Sequence, residues 1–219
     1  MIDYIFSIMP SMLEGLKMTV LLFVCTLVLS LPLGLPFALG SNSKIWPIKA
    51  LSVTYVFIFR GTPLLLQIFF FYFCLAIWFG IKMTPFETGV VTYVLNYAAY
   101  FAEIYRGGIN SVDHGQYEAA HALGLTKSQT LFGIVLPQTV KVVLPSISNE
   151  AIVLIKDTAL LSSISVMELM KVSKGAVNRD NSPVAYLVAA VFYLMLTFVL
   201  TLGASKIEKA YSKYDAKEN

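Results

Sequence analysis

The chain has 219 residues, of which 57% are hydrophobic and 13% are charged, and its mean hydropathy is +0.73. Soluble domains carry about a quarter charged residues, so this composition excludes an ordinary soluble domain and indicates an integral membrane protein. The net charge of +3 is too small to indicate a nucleic-acid-binding protein. Cys25 and Cys74 lie in apolar runs without metal-binding spacing, and we interpret both as small buried hydrophobic residues.

A membrane-spanning helix needs about 20 consecutive, mostly apolar residues. The runs that satisfy this requirement are Met18 to Gly40, Gly61 to Ile81 and Asn181 to Ser205. The first is too long for the apolar core of a cleaved signal, so we predict a retained helix, bent at Pro32 and Pro36. Arg60 directly precedes the second run. The sequence leaves open whether it lies at the membrane interface or inside a longer helix that begins near Pro47.

Two further apolar segments are interrupted by polar residues. Thr88 to Ala102 runs directly into Glu103 and Arg106. The other segment is Gln138 to Ile155, which contains Lys141, Asn149 and Glu150. An ionisable group at bilayer depth costs about 2.5–3.5 kcal/mol on insertion scales, so such groups usually have a function. We therefore predict about five spans in one all-α transmembrane domain that covers residues 1–219.

The basic residues of the short loops predict the orientation of the chain. With five spans the two termini lie on opposite sides of the membrane. One side carries eight basic residues, which are Lys44, Lys49, Arg106, Lys127, Lys206, Lys209, Lys213 and Lys217. The other side carries five, which are Lys17, Lys82, Lys171, Lys174 and Arg179. This bias places the N-terminus outside and the C-terminus in the cytoplasm, where the basic tail is attracted to anionic lipid.

A polar insertion, GQYEAAHALGLTKSQTLFGIVLP, occupies residues 115–137 between two predicted spans. Gln116 to Ala122 is good helix-forming sequence, and Gly124 suits the end of that helix. Thr126 and Gln129 form a capping-box pattern that begins a second helix. The pattern predicts a helix, a turn and a second helix outside the bilayer, with Pro137 at the start of the next span.

The first of these short helices presents an acid among small side chains. Glu118 is followed by Ala119 and Ala120, and a slim helix with one carboxylate fits a groove on a partner protein. The alternative is an ordinary surface loop without a partner. His114 and His121 flank the helix without metal-site spacing, so we predict that both are solvated.

The two interrupted spans place polar residues on common helix faces, since residues three, four or seven apart share a face. The sets are Asn96, Tyr100 and Glu103, followed by Arg106; Asn149 with Lys156; and Glu150 with Asp157. Seven residues rise about 10 Å, so each set forms a strip along its helix. Such strips offer cations to the carboxylate and acids to the ammonium group of a zwitterion.

A structural role is the alternative for each of these polar residues. Glu103 with Arg106, or Glu150 with Lys156, would then form buried ion pairs that lock helices together. Lys156 and Asp157 are adjacent and are also able to pair or to cap the helix end. Thr158 and Ser162 are then the nearest hydroxyl groups. We favour a functional role for the two spans jointly, because intramembrane ionisable groups usually mark pathways.

Four motifs in the same order resemble the membrane permease subunits of ABC importers. Glu118-Ala119-Ala120, three residues, Gly124, nine residues and then Ile134 to Pro137 match the EAA loop of that family. RGTPLLLQ from Arg60, AAYFAEIYRGGI from Ala98 and NEAIVLIKDTALLS from Asn149 resemble its polar amino-acid uptake branch, the histidine, glutamine and arginine type. The resemblance covers residues 60–162. Ala159 departs from it, since the branch usually has Ser at this position.

The resemblance implies a type I ABC importer membrane domain in the bacterial cytoplasmic membrane. Its cytoplasmic coupling loop, at about 107–137, would dock two copies of a separate ATPase through Glu118, Ala119, Ala120, Leu123 and Gly124. A second permease subunit, the same or homologous, and an extracytoplasmic amino-acid-binding protein would complete the transporter. The chain has no G-x-x-x-x-G-K phosphate loop, so it is not itself an ATPase, and ATP and Mg²⁺ would bind the partner.

We expect the translocated amino acid to pass the polar strips. The predicted pathway residues are Arg60, Asn96, Tyr100, Glu103, Asn149, Glu150, Lys156, Asp157, Thr158 and Ser162. We predict no catalytic and no metal-binding residue. The sequence does not identify the amino acid that is carried.

The residues by themselves leave two other classes of function open. An ion-coupled secondary amino-acid carrier or a channel would use Glu103 and Glu150 as an ion path, which explains the intramembrane charges but not the docking loop. An intramembrane hydrolase would use Ser146, Ser148 or Glu150, yet both histidines lie in the polar insertion, so no His base is available in the spans.

Overall fold

A computed structural model describes residues 2–212, and every regular element within that range is a helix. The α-helices are α1 (Ile2–Ser41), α2 (Trp46–Gly61), α3 (Leu64–Phe69), α4 (Leu75–Phe79), α5 (Pro85–Asn110), α6 (His114–Ala122), α7 (Lys127–Thr130), α8 (Leu136–Asp157), α9 (Leu169–Asp180) and α10 (Val184–Ser212). Two π-helical turns join neighbouring helices at Phe70–Cys74 and Leu131–Val135, and a 3-10 helix covers Thr158–Ile164. Lys213 and Lys217 of the predicted cytoplasmic tail lie outside the described residues.

Membrane-spanning length and apolar composition are found in several of these helices. In residues 2–212 the stretches Ile2–Ser41, Lys127–Ile164 and Val184–Tyr211 satisfy both criteria, and the pair Trp46–Gly61 with Leu64–Phe79 satisfies them together. α5 has 26 residues, which rise about 39 Å, but its sequence is more polar. The predicted spans therefore fall on α1, the α2–α4 pair, α5, α8 and α10, as the all-α membrane fold predicts.

α1 is much longer than the predicted span. It begins at Ile2 rather than Met18 and has 40 residues, and Pro32 and Pro36 lie inside it without ending it. Forty residues rise about 60 Å, about twice the thickness of the hydrocarbon core. Its first part packs Ile8 and Met12 against α9. The helix therefore extends beyond the bilayer and reaches from α9 to the start of α2.

The second predicted span, Gly61 to Ile81, is wrong in outline. α2 already begins at Trp46, and Thr62 and Pro63 separate it from α3 with a bend of 105°. Thr62 is extended, with φ −116° and ψ 143°, because a residue before proline avoids the helical conformation. Arg60 lies in the last turn of α2, so the interpretation of a longer helix that begins near Pro47 is confirmed.

α9 was not predicted, since residues 168–183 read as a polar loop. The Glu168 carboxylate caps this helix and accepts hydrogen bonds from the main-chain N–H groups of Met170, at 2.7 Å, and Lys171, at 2.6 Å. Its buried face, Leu169, Ser173 and Ala176, has helical spacing. A helix of twelve residues with an exposed basic face is too short and too polar to span the membrane. The capping residue and the spacing of the apolar residues were nevertheless signals of a short amphipathic helix.

The largest buried cluster lies where α1, α5 and α8 meet. It contains Leu22 of α1, Tyr97 and Phe101 of α5 and Leu154 of α8. α1 approaches α5 closely at Gly34, where an added Cβ would lie 2.9 Å from Phe101 Cβ. The same Cβ would lie 3.0 Å from the Ala98 carbonyl oxygen and 3.0 Å from the Ala102 nitrogen, so this contact requires glycine.

We expect Gly34→Ala to destabilise the protein by about 1–3 kcal/mol, because the added methyl group must push α1 away from the α5 backbone. Thermal unfolding of the purified protein in detergent measures the effect as a lowered midpoint. Gly203→Ala is the matched control, since nothing lies within 4 Å of a Cβ at Gly203. Equal midpoints for the two variants would contradict the close packing of α1 on α5.

Candidate substrate pathway and docking surface

A group of charged side chains lies where the end of α2 meets α5. The Glu103 carboxylate accepts two hydrogen bonds from Arg106, from Nε to Oε2 at 2.9 Å and from Nη2 to Oε1 at 2.5 Å. Nη1 of Arg60 lies 3.9 Å from Oε1 of Glu103, and its guanidinium carbon lies 5.3 Å from the centre of the Tyr100 ring. Glu103 and Arg106 thus pair as predicted, but within α5 and partly exposed, so the prediction that a buried pair locks two helices together is wrong. Arg60 approaches the pair from another helix.

These charges are not sealed inside the chain. The side chains of Arg60, Glu103 and Arg106 are 40%, 31% and 37% exposed. A charged face this open cannot lie against lipid without a large cost, because polar groups at bilayer depth face protein or water-filled cavities. The face therefore lines an aqueous cavity or a second protein subunit.

Two neighbouring cavities share Arg60, Gly61 and Tyr100. The first, about 590 Å³, extends towards Lys49, Glu103 and Arg106, so it holds three cations and one acid. The second, about 420 Å³, extends towards Asn96, Glu150 and Asp157 and holds one cation and two acids. Arg60 is therefore the cation that a ligand meets in both cavities.

The predicted polar strip on α8 divides between two faces. Glu150 and Asp157 line the second cavity, whereas Asn149 and Lys156 are exposed and line neither of the two cavities. The proposed Glu150–Lys156 ion pair is wrong for the described part of the chain, whose ion pairs do not join these two side chains. Six residues in a helix are about 240° apart around the axis, so the two side chains diverge.

Tyrosines from α5 hold the end of α8. The hydroxyl of Tyr97 donates to Oδ2 of Asp157 at 2.8 Å, and the hydroxyl of Tyr93 donates to the Asp157 main-chain carbonyl at 2.5 Å. Thr158 is fully buried and donates to the Ile155 carbonyl at 2.8 Å. Ser162 is half-buried, and neither Thr158 nor Ser162 lines the two cavities. The structure thus brings Asp157 to the second cavity, but it brings neither of these two hydroxyl groups to either cavity.

Asn96 lines the second cavity, yet its amide group is occupied. Nδ2 donates to the Phe59 carbonyl and to Oε1 of Gln67, each at 3.0 Å. Sequence reasoning did not single out Gln67, although it stands inside the RGTPLLLQ motif. A polar residue four positions after a proline in an apolar run was the available signal, because a span with a broken helix needs replacement donors.

The polar insertion folds as predicted. Asp113 Oδ1 accepts from the main-chain N–H of Gly115 at 2.6 Å and begins α6, and Gly124 turns the chain with φ +73°. The Thr126–Gln129 capping box is present and begins α7. α7 continues through the π-helical turn into α8, so Pro137 stands in the first turn of α8 without interrupting the helical path.

Most of the predicted coupling residues are exposed. We name the exposed set Glu118, Ala119, Leu123 and Gly124 the docking surface. Leu123 is 78% exposed although it is apolar and lies in a polar segment. Ala120 is 1% exposed, so its side chain does not belong to this exposed set, and its place among the coupling residues stays a prediction. It packs inward because it lies on the opposite face of the short helix.

A buried carboxylate lies near the other end of α1. Glu168 is 0% exposed and accepts a hydrogen bond from the Tyr193 hydroxyl of α10 at 3.0 Å, besides its two bonds within α9. Thr19 of α1 lies at the same junction, where its Oγ1 accepts a hydrogen bond from the Leu169 N–H at 3.1 Å. Burial raises the pKa of Glu168 to about 7, although the main-chain N–H groups and the Tyr193 hydroxyl act in the opposite direction.

This raised pKa predicts a pH-dependent stability. The folded state binds the Glu168 proton more tightly than the unfolded chain, so the stabilisation is complete below about pH 4.5 and is lost as the pH rises through about 7. The expected total is about 3 kcal/mol. Melting midpoints in detergent between pH 5 and pH 8 should fall for the parent and fall less for Glu168→Gln. The same decline in both proteins would show that Glu168 is not the group responsible.

Comparison with known proteins gives one family. Residues 30–213 match the family model described as binding-protein-dependent transport system inner membrane component. The chain is 38% identical over 213 residues to the L-cystine transport system permease protein TcyB of Bacillus subtilis, covering 96% of this chain and 91% of the relative. It is 35% identical over 207 residues to the arginine transport system permease protein ArtQ of the same organism, covering 94% of each.

Solved structures agree with this family. The crystal structure of an amino acid ABC transporter with histidines matches with a TM-score of 0.88 and 33% identity, covering 94% of this chain and 96% of that one. A chain of the MetNI methionine ABC transporter in an inward-facing conformation matches with a TM-score of 0.71 and 17% identity, covering 90% of this chain and 93% of that one, which shows the fold alone.

The fold and the family match together define a membrane component of a transport system rather than an intramembrane hydrolase. The chain belongs to the family of binding-protein-dependent transport system inner membrane components, and it has the fold of a type I ABC importer membrane domain. The four motifs of the sequence predict this family membership. Membership in this family does not favour a channel or an ion-coupled carrier.

Proposed function

We propose that this chain is the permease subunit of an ATP-driven importer that moves a polar amino acid across the membrane by alternating access. The observation that carries the proposal is the position of Arg60. It lies between a cavity rich in cations and a cavity with two acids, on the last turn of a broken span. Broken helices at a polar site are typical of transporters, because free backbone is tolerated where it lines a cavity.

The roles within the pathway follow from charge. Arg60, supported by Tyr100, holds the α-carboxylate of the passing amino acid, and Glu150 with Asp157 holds its ammonium group. Glu103 and Arg106 extend the path into the first cavity as a compensated pair. Asn149, Lys156, Thr158 and Ser162 stay as predictions for other conformations or for contacts with a second subunit.

Coupling to ATP takes place on another protein. The docking surface binds an ATPase subunit, two copies of which serve two permease subunits, and ATP and Mg²⁺ bind to that ATPase. Closure of the ATPase pair draws the α6 helices together and shifts the permease between its two states, since a ligand moves such an equilibrium by its differential affinity. The docking surface lies in the cytoplasm, as the distribution of basic residues predicts.

A second permease subunit completes the path. The half-exposed charges of Arg60, Glu103 and Arg106 lie on a face that lipid cannot cover at acceptable cost. A homologous subunit or a second copy of this chain covers that face and supplies the other wall. An extracytoplasmic binding protein delivers the amino acid on the opposite side of the membrane from the docking surface.

Reconstitution tests the proposal. The permease, its co-purified ATPase and the binding protein are placed in proteoliposomes, and uptake of cystine, glutamine, glutamate, arginine and histidine is measured with and without ATP. We expect ATP-dependent uptake of at least one of these amino acids, and a stoichiometric ATPase in the purified complex. Uptake that is equal without ATP, or that follows an ion gradient, would support the channel or carrier instead.

A further inference from the structure

The break between α2 and α3 removes a hydrogen-bond donor from a membrane helix. In a continuous α-helix the carbonyl of Phe59 would accept from the N–H of residue 63, four positions later. Residue 63 is proline, which has no N–H group. An unsatisfied carbonyl inside the bilayer costs several kcal/mol, so this oxygen requires another donor.

Two side-chain amides replace the missing donor. Gln67 Nε2 lies 2.8 Å from the Phe59 carbonyl oxygen, and Asn96 Nδ2 of α5 lies 3.0 Å from the same oxygen. Asn96 also donates to Oε1 of Gln67 at 3.0 Å, so the two amides hold each other. Gln67 and Asn96 are 7% and 4% exposed, which keeps water from competing for these bonds.

Thr62 connects the same amide to the break itself. Its Oγ1 accepts from Gln67 Nε2 at 2.8 Å and donates to the Ile58 carbonyl at 2.8 Å. Gln67 Nε2 also lies 3.1 Å from the Thr62 carbonyl oxygen. We name Gln67, Asn96 and Thr62 the amide clasp. It satisfies the open end of α2 and ties this end both to α3 and to α5.

The amide clasp acts next to Arg60. Phe59, whose carbonyl receives both amides, directly precedes Arg60, and Tyr100 follows Asn96 by one helical turn on α5. The clasp therefore fixes the last turn of α2 against the turn of α5 that carries the ring beneath the Arg60 guanidinium. Gln67 itself lines neither of the two cavities that contain Arg60.

We propose that Gln67 is a positioning residue, which holds the bend between α2 and α3 and thereby places the Arg60 guanidinium in the pathway. It acts through the α2 backbone and does not touch the transported molecule. The proposal rests on the proposed function, because it assumes that the cavities beside Arg60 carry the amino acid. Its test measures the position of the positive charge and needs neither substrate nor ATP hydrolysis.

The test uses a cysteine beside Arg60. Gly61 lines both cavities, and a Cβ added there meets nothing within 4 Å, so Gly61→Cys fits without strain. Cys25 and Cys74 are free and are first replaced by Ala. The variant is expressed in the complete transporter, and vesicles are labelled with anionic sulfonatoethyl or cationic trimethylammonium-ethyl methanethiosulfonate. The anion-to-cation ratio of the labelling rates reports the charge near position 61.

The Arg60→Gln variant of this cysteine protein gives the reference value of the ratio in the absence of the Arg60 charge. A charge a few ångströms away in a water-filled cavity contributes about 1 kcal/mol, which favours the anionic reagent and disfavours the cationic one. The two effects together amount to about 2 kcal/mol, so we expect this ratio to be about 30-fold lower than in the parent. Gln67→Met keeps the length of the side chain but has no amide, and we expect at least a threefold fall towards the Arg60→Gln value. Gln67→His should restore most of the ratio, because a ring N–H can donate to the Phe59 carbonyl.

Controls make the result specific. Leu66→Ala changes an exposed neighbour of Gln67 on α3 and should leave the ratio unchanged. Thr62→Val removes the hydroxyl that contacts Gln67, and it should lower the ratio by less than Gln67→Met does. It is measured in parallel, so that the positioning role is tested even when Gln67→Met is poorly expressed. A parental ratio in both Gln67→Met and Thr62→Val overturns the positioning role. Failure of the unmodified transporter to take up amino acids would overturn the proposed function and leave the labelling result standing.

Discussion

We expect Glu118→Lys to abolish transport and substrate-stimulated ATP hydrolysis while the permease still inserts into the membrane. Glu118 is exposed on α6, and among the described residues none of the hydrogen bonds or ion pairs involves its carboxylate. Under the proposed function, reversal of its charge would place a cation where the ATPase receives a carboxylate. Breaking a charge pair inside an interface costs about 2–5 kcal/mol, which weakens binding by about 30-fold to several thousandfold.

Co-purification of the ATPase and hydrolysis by the reconstituted complex measure this effect. Glu14→Lys is the matched control, because Glu14 is 71% exposed and pairs with Lys17 on the part of α1 far from the docking surface. The control should retain transport. Full coupled hydrolysis in Glu118→Lys would show that this helix does not bind the ATPase through Glu118.

The second large effect is expected at Arg60. Arg60→Gln should lower the uptake rate at low substrate concentration at least 10-fold, because hydrogen bonds to a charged group contribute about 1.5–3 kcal/mol. The variant also leaves Glu103, Glu150 and Asp157 without a cation from α2. Arg60→Lys keeps the charge but not the two-pronged geometry, so a partial loss is expected.

Initial uptake rates over a range of substrate concentrations separate binding from turnover. Lys82→Gln removes a cation from the exposed loop before α5 and should leave the rates unchanged. Basal ATP hydrolysis in Arg60→Gln should equal that of the parent, because the docking surface is untouched. Parental uptake by Arg60→Gln would remove the pathway role from this residue.

The local signals of the sequence were sufficient for the docking segment. The helix-forming run from Gln116 to Ala122, Gly124 and the Thr126–Gln129 pair are local signals, so they predict the helix, the turn and the second helix directly. The apolar runs likewise indicate which parts of the chain span the membrane, since a bilayer imposes their length. They did not give the bounds of α1 or the broken outline of the second span. Helical periodicity also placed Glu150 and Asp157 correctly on one face of α8.

Contacts between distant parts of the chain were beyond that reasoning. The amide clasp joins Gln67 to Asn96, which are 29 positions apart, and the Glu168 junction joins α9 to Tyr193, 25 positions away. Neither polar residue is marked by its neighbours as one of a pair. The 105° bend also depends on tertiary contacts, because a proline breaks a helix but does not decide the direction in which the chain continues.

α1 packs against α9 near its start, against α5 at Gly34 and against α2 near its end. With a length of about 60 Å, a tilt of about 10° about its midpoint would displace each end by about 5 Å in opposite directions. α1 is therefore shaped as a lever. A small displacement of one end of α1 on the ATPase side would produce a comparable displacement of its other end, where the amino acid arrives, without any change in helix length.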